Sequence, residues 1–517
     1  MRRFFKPTTS GIASIILILA TAISYICGLL RDILIGNYFG AGAITDAYNT
    51  AFLVPDLIYT ITIAGSLSGA FLPIFRSEYN KNKQSAWQLA SSFFITSQFL
   101  VIGLSIAAYI FMPSLASLFE TQTPEQKDLI ISLSRWLLLS PIVFSISNFL
   151  GAILNSFKHY LAYALSASFY NVGIIAGITL WHDTHGIYSA VYGVAIGLAL
   201  HLAIRIFDLT VITTKEPREN FSLKINKLFT PALKKIYLLG IPKTFGLLAW
   251  QLSLWTYNLI GYQLITGSIA AFNYGRNIQS FAVSVFGISI ATAVFPFLVD
   301  HRDKEENADF QDRLRSTSLQ IWFYTWPSAL GLAILAPEFI DLLLGRGQFD
   351  QAAIALTSGV LSFLALAIPF ESLTHLYARA FYSYNAIVTP VSVSFLFLSI
   401  NIGLSYFLSP IFGVTAFGIG FLIASLIQII ILAIFFHKKF LPLANNSFAP
   451  FAKILVGGLL MGALTYYLKI IYISNHISLI ITITISSILY FVFNYYTKTL
   501  GFSGLRKLQK WLPTSKN

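Results

Sequence analysis

The residues of this sequence best able to do chemistry are charges set inside long apolar runs. Arg31 and Asp32 fall late in the first run, and Asp46 and Asp56 fall at the start of the second. Lys243 interrupts the seventh and Arg276 the eighth, while Glu371, His375 and Arg379 recur at i, i+4 and i+8 in the tenth. That last spacing places three titratable groups on one helical face. An ionisable side chain in lipid is costly and marks a pathway or a partner. Arg31 and Arg276 therefore call for an anion, and the planar fork of arginine suits phosphate. Facing one gap, and joined by Lys243, they would form a cationic binding site. Asp46 would orient an arginine or close an outer gate. Asp56 reads either as a gate or ion relay or as a structural ion pair or span-end group, and Glu371, His375 and Arg379 either as a gate or ion relay or as local helix support. Arg205, Asp208 and Lys469 read as structural, either as ion pairs within a bundle or as span-end groups reaching the interface. His182 and His185, beside Asp183, read as surface histidines. No nucleophile motif, phosphate loop or metal-ligand cluster stands out. With Cys27 the only cysteine, an internal disulfide and a cysteine-based metal cluster are excluded. The chemistry expected is transport without a cofactor rather than catalysis.

These charges need long apolar elements to hold them. Of 517 residues, 56 % are apolar and 11 % charged, where a soluble domain carries about a quarter charged. So few charges cannot cover a water-facing surface, and bilayer is the solvent for most side chains. Helices satisfy the backbone in lipid. The fold class expected is an all-α integral membrane protein with about 14 spans, each able to supply the roughly 20 residues a crossing needs. They lie at 11–37, 47–76, 87–113, 126–155, 160–181, 186–212, 232–262, 268–298, 316–335, 352–384, 387–409, 412–437, 450–472 and 476–497. The first run exceeds an apolar signal-peptide core of about 7–15 residues and lacks a cleavage site after it, so it reads as a span.

The net charge is +13. The basic residues cluster in alternate short loops, which is the orientation rule rather than a nucleic-acid surface. Arg2, Arg3 and Lys6, Arg76, Lys81 and Lys83, the run from Lys215 to Lys235, Arg302 to Arg315, and Lys498 to Lys516 all fall on one side. Both termini are then cytoplasmic. The longest basic loop, 213–231, follows span six and divides the chain. Ala64-Gly-Ser-Leu-Ser-Gly-Ala-Phe-Leu-Pro73 resembles Gly287-Ile-Ser-Ile-Ala-Thr-Ala-Val-Phe-Pro296, and Pro141 with Asn155-Ser156 resembles Pro369 with Ser383-Tyr384. Two six-helix lobes in parallel pseudo-repeat are expected, 1–212 and 232–438, with the substrate site at their interface. A helix pair at 450–497 and a tail at 498–517 complete the chain. Gly458 and Gly462 in span thirteen read as a packing face.

Gly28-Leu-Leu-Arg-Asp32, Phe39-Gly-Ala-Gly42, Thr45-Asp-Ala-Tyr48 and Ala51-Phe-Leu-Val-Pro55 together resemble the opening signature of the MurJ/MviN family. Val285–Pro296, Leu344-Gly-Arg-Gly-Gln-Phe349, and Arg379-Ala-Phe-Tyr382 with Thr389-Pro390 resemble later signatures of that family. Its members are lipid II flippases within the multidrug, oligosaccharidyl-lipid and polysaccharide exporter group. The resemblance implies two lobes around a cationic cavity and a terminal helix pair forming a lipid groove. It implies an undecaprenyl-pyrophosphate-linked peptidoglycan precursor as cargo, flipped across the bacterial cytoplasmic membrane. Arg31 and Asp46 match functional positions of the family. Tyr25, Tyr59 and Asn277 stand where the family has arginines, with Arg276 one residue from the last. Ala64 stands where a glutamate is common, and Tyr257, beside Asn258, where an aspartate is common. The substituted arginines keep two rivals open: a flippase for another polyprenyl-pyrophosphate-linked glycan, and an inactive membrane scaffold of the same fold. A drug/cation antiporter of the same group is disfavoured by the cationic bias and the extra helix pair.

Overall fold

A computed structural model describes residues 10–64, 70–121, 123–157, 159–213, 230–441, 448–473 and 475–499. Residues 214–229 of the basic linker, the glycine–serine motif at 65–69, the tail from 500 and the side chain of Lys243 lie outside the described residues. Every regular element among the described residues is helical. In chain order these are α1 (Ser10–Phe39), α2 (Ala43–Ala51), α3 (Leu53–Tyr59), α4 (Leu72–Lys81), α5 (Lys83–Ala116), α6 (Pro124–Leu137), α7 (Leu139–Ser156), α8 (Tyr160–His185), α9 (Tyr188–Thr213) and α10 (Pro231–Gly261). There follow α11 (Ser268–Ala282), α12 (Ser289–Asp303), α13 (Asn307–Ile334), α14 (Ala336–Leu344), α15 (Gln351–Ser383), α16 (Val388–Phe412), α17 (Thr415–Lys439), α18 (Ala449–Tyr472) and α19 (His476–Tyr496).

Eleven helical spans among the described residues are long and apolar enough to cross a membrane. A twelfth is the pair α13–α14, bent by 79°. The count of about fourteen includes two more, at 47–76 and 232–262. The first is broken into α2, α3, a π-helical stretch at Thr60–Ala64 and α4. The second is α10, 31 residues long, whose apolar run is diluted by Lys243, Gln251 and Asn258. Several starts are set by side-chain caps that take up a free backbone N–H. Asn82 accepts from Ser85 N at 3.1 Å to start α5, and Thr230 accepts from Leu233 N at 3.1 Å to start α10. Asn475 and Ser478 form a reciprocal capping box on α19.

The chain divides into two compact units. One comprises Met1–Tyr274, Leu344–Ala353 and Ser409–Val414, and the other Gly275–Leu343, Ile354–Leu408 and Thr415–Asn517. The core of the first is aromatic: Phe71, Phe75, Phe93 and Phe149 are buried together, with Phe71 and Phe93 stacked at 4.9 Å. Helices α8 and α9 meet at glycines. A methyl group on Gly193 would lie 2.6 Å from Ile174 Cα, so the backbones approach as closely as they do only without one. In the same unit the loop Leu344–Phe349 docks on the end of α1, where Gln348 N donates to Asn37 O at 2.8 Å. Two of the recognised signatures thus meet there.

The second unit packs Phe310, Phe381 and Phe436 into its core. Gly458 and Gly462 lie on the face of α18 that meets α13, against Trp326, Leu330 and Ile334. The π-helical stretch Val283–Ile288 sits between α11 and α12. Val283 lies 223 residues after Thr60, where the other π-helical stretch begins, and Pro296 lies 223 residues after Pro73. The internal repeat therefore extends to a matched irregularity in backbone hydrogen bonding, a type often found at functional sites.

Candidate functional site

In the first unit the charged groups gather on α1, α2, α3 and α9. Arg31 forks onto its own neighbour: its Nε and Nη2 donate to Asp32 Oδ1 at 3.0 and 2.8 Å. Nη1 donates to Asn171 Oδ1 of α8 at 3.1 Å. Asn171 in turn donates to Ser24 O at 3.3 Å, so α8 holds the arginine against α1. The Arg31 side chain is 24 % exposed and that of Asp32 is 9 %. The guanidinium is held in place yet open on one side.

Asp46 is buried, and its two oxygens accept from Gly267 N and Ala270 N, both at 2.7 Å. Both donors belong to the N-terminus of α11, where free N–H groups and the helix dipole favour an anion. Gly267 makes this possible, because its φ of +90° is a conformation that other residues rarely adopt. Asp46 therefore caps a helix rather than orienting an arginine. Nearby, Thr50 donates to Asn258 Oδ1 at 2.7 Å and lies 2.8 Å from Tyr262 Oη.

Asp56 is exposed on α3, and its carboxylate makes no hydrogen bond or ion pair among the described residues. Tyr59, one turn on, accepts from Asn148 Nδ2 at 2.8 Å. Behind Asn148 stands Arg205, which is 3 % exposed. Arg205 does not reach for an interface: it turns inward and donates to Ser147 O and Asn148 Oδ1, both at 2.7 Å, and to Ser166 Oγ at 2.8 Å. Asp208 pairs with buried His159 at 3.0 Å, and His201 Nδ1 lies 2.7 Å from Ser147 Oγ. His201, Arg205 and Asp208 thus line one face of α9. His201, His159 and Asn148 were missed in the sequence, although the spacing 201, 205, 208 in an apolar run was the available signal.

In the second unit Arg276 makes a bidentate pair with Glu371, at 2.9 and 2.8 Å. Gln279 Nε2 donates to the same carboxylate at 2.7 Å, and Arg276 also donates to Gln279 Oε1. The guanidinium lies over Phe421, 4.6 Å from the ring centroid. Arg276 and Glu371 side chains are 14 % and 17 % exposed. Arg379 donates to Thr292 Oγ1 at 2.7 Å and to the carbonyl of half-buried His375 at 3.1 Å. Lys469 pairs with Glu338 at 3.0 Å, as expected of a structural group.

Tyr25 is half-buried on α1, and Asn277 is exposed on α11. Lys243 lies within α10. The structure thus brings Arg276 together with Glu371, and His375 with Arg379. In the first unit Arg31, Asp46 and Tyr59 each have their own hydrogen-bond partners. A further feature of the second unit is a cavity of about 320 Å³ between α13, α18 and α19, lined by Phe323, Pro327, Met461, Thr465, Ile483 and Tyr490 among others.

The model of the family described as "Lipid II flippase MurJ" matches residues 35–493. A probable lipid II flippase MurJ of Aquifex aeolicus is 27 % identical over 491 residues, covering 93 % of each chain. The lipid II flippase MurJ of Burkholderia cenocepacia is 23 % identical, covering 85 % of this chain and 86 % of its own. Among solved structures, a lipid II flippase MurJ in an inward closed conformation superposes with a TM-score of 0.79 at 22 % identity, covering 94 % of this chain and 99 % of its own. An inward-facing multidrug resistance MATE family transporter of the MOP superfamily gives 0.68 at 14 %, covering 80 % and 94 %.

Proposed function

The chain belongs to the lipid II flippase MurJ family, and from that premise we propose that it flips a lipid-linked peptidoglycan precursor across the bacterial cytoplasmic membrane by alternating access. Arg31 carries the reading: a guanidinium inside a span, held by Asp32 and Asn171 and 24 % exposed. A pyrophosphate would take the free edge of that fork and compete with Asp32 for the rest, because arginine binds carboxylate and phosphate through the same geometry. Arg276 would act likewise, with Glu371 as the carboxylate that holds it between cycles. Asp56, His375 and Arg379 would relay or gate, and Tyr25, Tyr59, Asn277 and Lys243 would line the path. Asp46 would serve by fixing the start of α11.

The same proposal takes 1–212 and 232–438 as rocking lobes, 213–231 as their linker and 450–497 as a groove pair, with both termini and the 498–517 tail cytoplasmic. The apolar lining of the cavity beside α18 and α19 suits the undecaprenyl chain, which then stays out of water while the polar head crosses. The test is rescue of bacteria depleted of their own lipid II flippase. The chain should restore growth, and Arg31→Ala should abolish rescue at equal membrane level. Failure by a well-inserted wild-type chain overturns the cargo.

A second reading, another polyprenyl-pyrophosphate-linked glycan, is favoured by the neutral Tyr25, Tyr59 and Asn277. Mass spectrometry of the co-purified lipid separates it from the first. An inert purified protein in a flipping assay would point to a scaffold instead.

A further inference from the structure

Arg205 is a buried cation, 3 % exposed. Among the described residues no carboxylate lies within salt-bridge distance of its guanidinium, and its acceptors are the neutral Ser147 O, Asn148 Oδ1 and Ser166 Oγ. A guanidinium has donors only, so the amide oxygen of Asn148 must face it. The amide nitrogen must then face the other way, and there it donates to Tyr59 Oη at 2.8 Å. Tyr59 Oη accepts that hydrogen bond from behind, and its own O–H is left to point elsewhere. Among the described residues no acceptor takes that proton. Tyr59 is half-buried, and its neighbour one turn earlier on α3, Asp56, is exposed. Each hydrogen bond in such a chain polarises the next.

We infer that Arg205 and Asn148 are positioning residues which lock Tyr59 as an outward hydrogen-bond donor for an anionic oxygen of the cargo. This deepens the proposed function and rests on it for the nature of the anion. The neutral tyrosine contributes direction, while the charge sits one residue behind it, shielded from lipid. Arg205 is held by Ser147, Asn148 and Ser166, and it acts on Tyr59 through the amide.

The test exploits the polarity of Asn148. In Asn148→Asp the shape is kept and Arg205 gains an ion pair. The new carboxylate accepts only, so Tyr59 must turn its proton inward. The probes are undecaprenyl pyrophosphate and undecaprenol, bound to the full chain in detergent and read by native mass spectrometry. Asn148→Asp should weaken the pyrophosphate by about tenfold or more, the worth of one hydrogen bond to a charged group. It should leave undecaprenol binding and the melting temperature no lower. Tyr59→Phe should show the same loss, and the double variant should be no weaker than either single one. A through-space effect of the added charge would persist in the Tyr59→Phe background. Additive losses, or wild-type affinity in Asn148→Asp, overturn the inference. If the wild-type chain does not prefer the pyrophosphate, the functional reading fails instead. The hydroxyl is then read directly from the Tyr59 13Cζ resonance, assigned by its loss in Tyr59→Phe. It should move in Asn148→Asp, and an unmoved resonance overturns the inference whatever binds.

Discussion

Asp46 and Gly267 are joined across 221 residues of chain by a hydrogen bond of 2.7 Å from the glycine N–H to the carboxylate. The second carboxylate oxygen takes Ala270 N, so one side chain closes the start of α11. Asp46→Ala leaves two N–H groups without that acceptor, and should cost about 2 kcal/mol, the upper range for a helix cap. Asp46→Asn keeps one acceptor and turns an amide NH2 toward the other N–H, so it should recover less than its shape promises. Melting in detergent measures the order: wild type, then Asn, then Ala. Equal melting for all three would remove the cap from the account.

The pair Arg276–Glu371 makes a different prediction. Removing one member leaves the other charged and mostly buried, which costs about 3 kcal/mol or somewhat less at this exposure. Glu371→Gln keeps an oxygen for the fork but loses the charge, and should be milder than Arg276→Met. In a double-mutant cycle the two changes should fall well short of additive. Additivity within error would show that the two side chains do not depend on one another.

The seam between α8 and α9 predicts a large effect from one methyl group. In Gly193→Ala the new carbon meets Ile174 Cα at 2.6 Å, and backbone cannot move aside as a side chain can. Overpacking of this kind costs about 1–3 kcal/mol. Gly103 in α5 is the control, because a methyl there meets nothing within 4 Å. Gly103→Ala should be neutral or gain up to about 1 kcal/mol from helix propensity. Yield of folded protein and melting temperature read both.

What was legible in the sequence follows from what lipid asks of a chain. Apolar length marks a span, so α1, α5, α8, α15, α18 and α19 fall within a few residues of expectation. The repeat was visible because proline and glycine mark backbone irregularity directly. Pairings were not legible, because a helix in lipid is apolar all round and periodicity does not say which face is buried. On α5 Phe93 is 1 % exposed and Phe99 is 73 % exposed, yet the two are alike in type. The better signal on that helix is small polar residues: Ser91, Ser92, Ser97 and Ser105 are all buried. The inward turn of Arg205 belongs to the same lesson. A cation near a span end reads as reaching for water, unless serines and an asparagine on neighbouring helices are seen to meet it. The bend after α13 has a local signal in Pro337, in the first turn of α14, because proline disfavours helix just before it, whereas the cap by Asp46 depends on tertiary placement that no local pattern encodes.

Arg31 and Asp32 are adjacent on one helix turn, and the carboxylate occupies two donors of the fork at 3.0 and 2.8 Å. On the proposed function a pyrophosphate and Asp32 compete for the same guanidinium. Asp32→Asn weakens the competitor without changing its size, so affinity for undecaprenyl pyrophosphate should rise, by about tenfold if a charged hydrogen bond becomes a neutral one. Release should slow in proportion, because affinity changes at one site appear mostly in the off-rate. Rescue of a flippase-depleted strain should therefore fall although binding improves. Arg31→Lys gives the opposite split: it keeps the charge, loses the fork, and should lower both affinity and rescue. Native mass spectrometry supplies the affinities and growth supplies the turnover. An Asp32→Asn chain that binds no more tightly than wild type would show that the aspartate serves the fold of α1 and does not compete with the cargo.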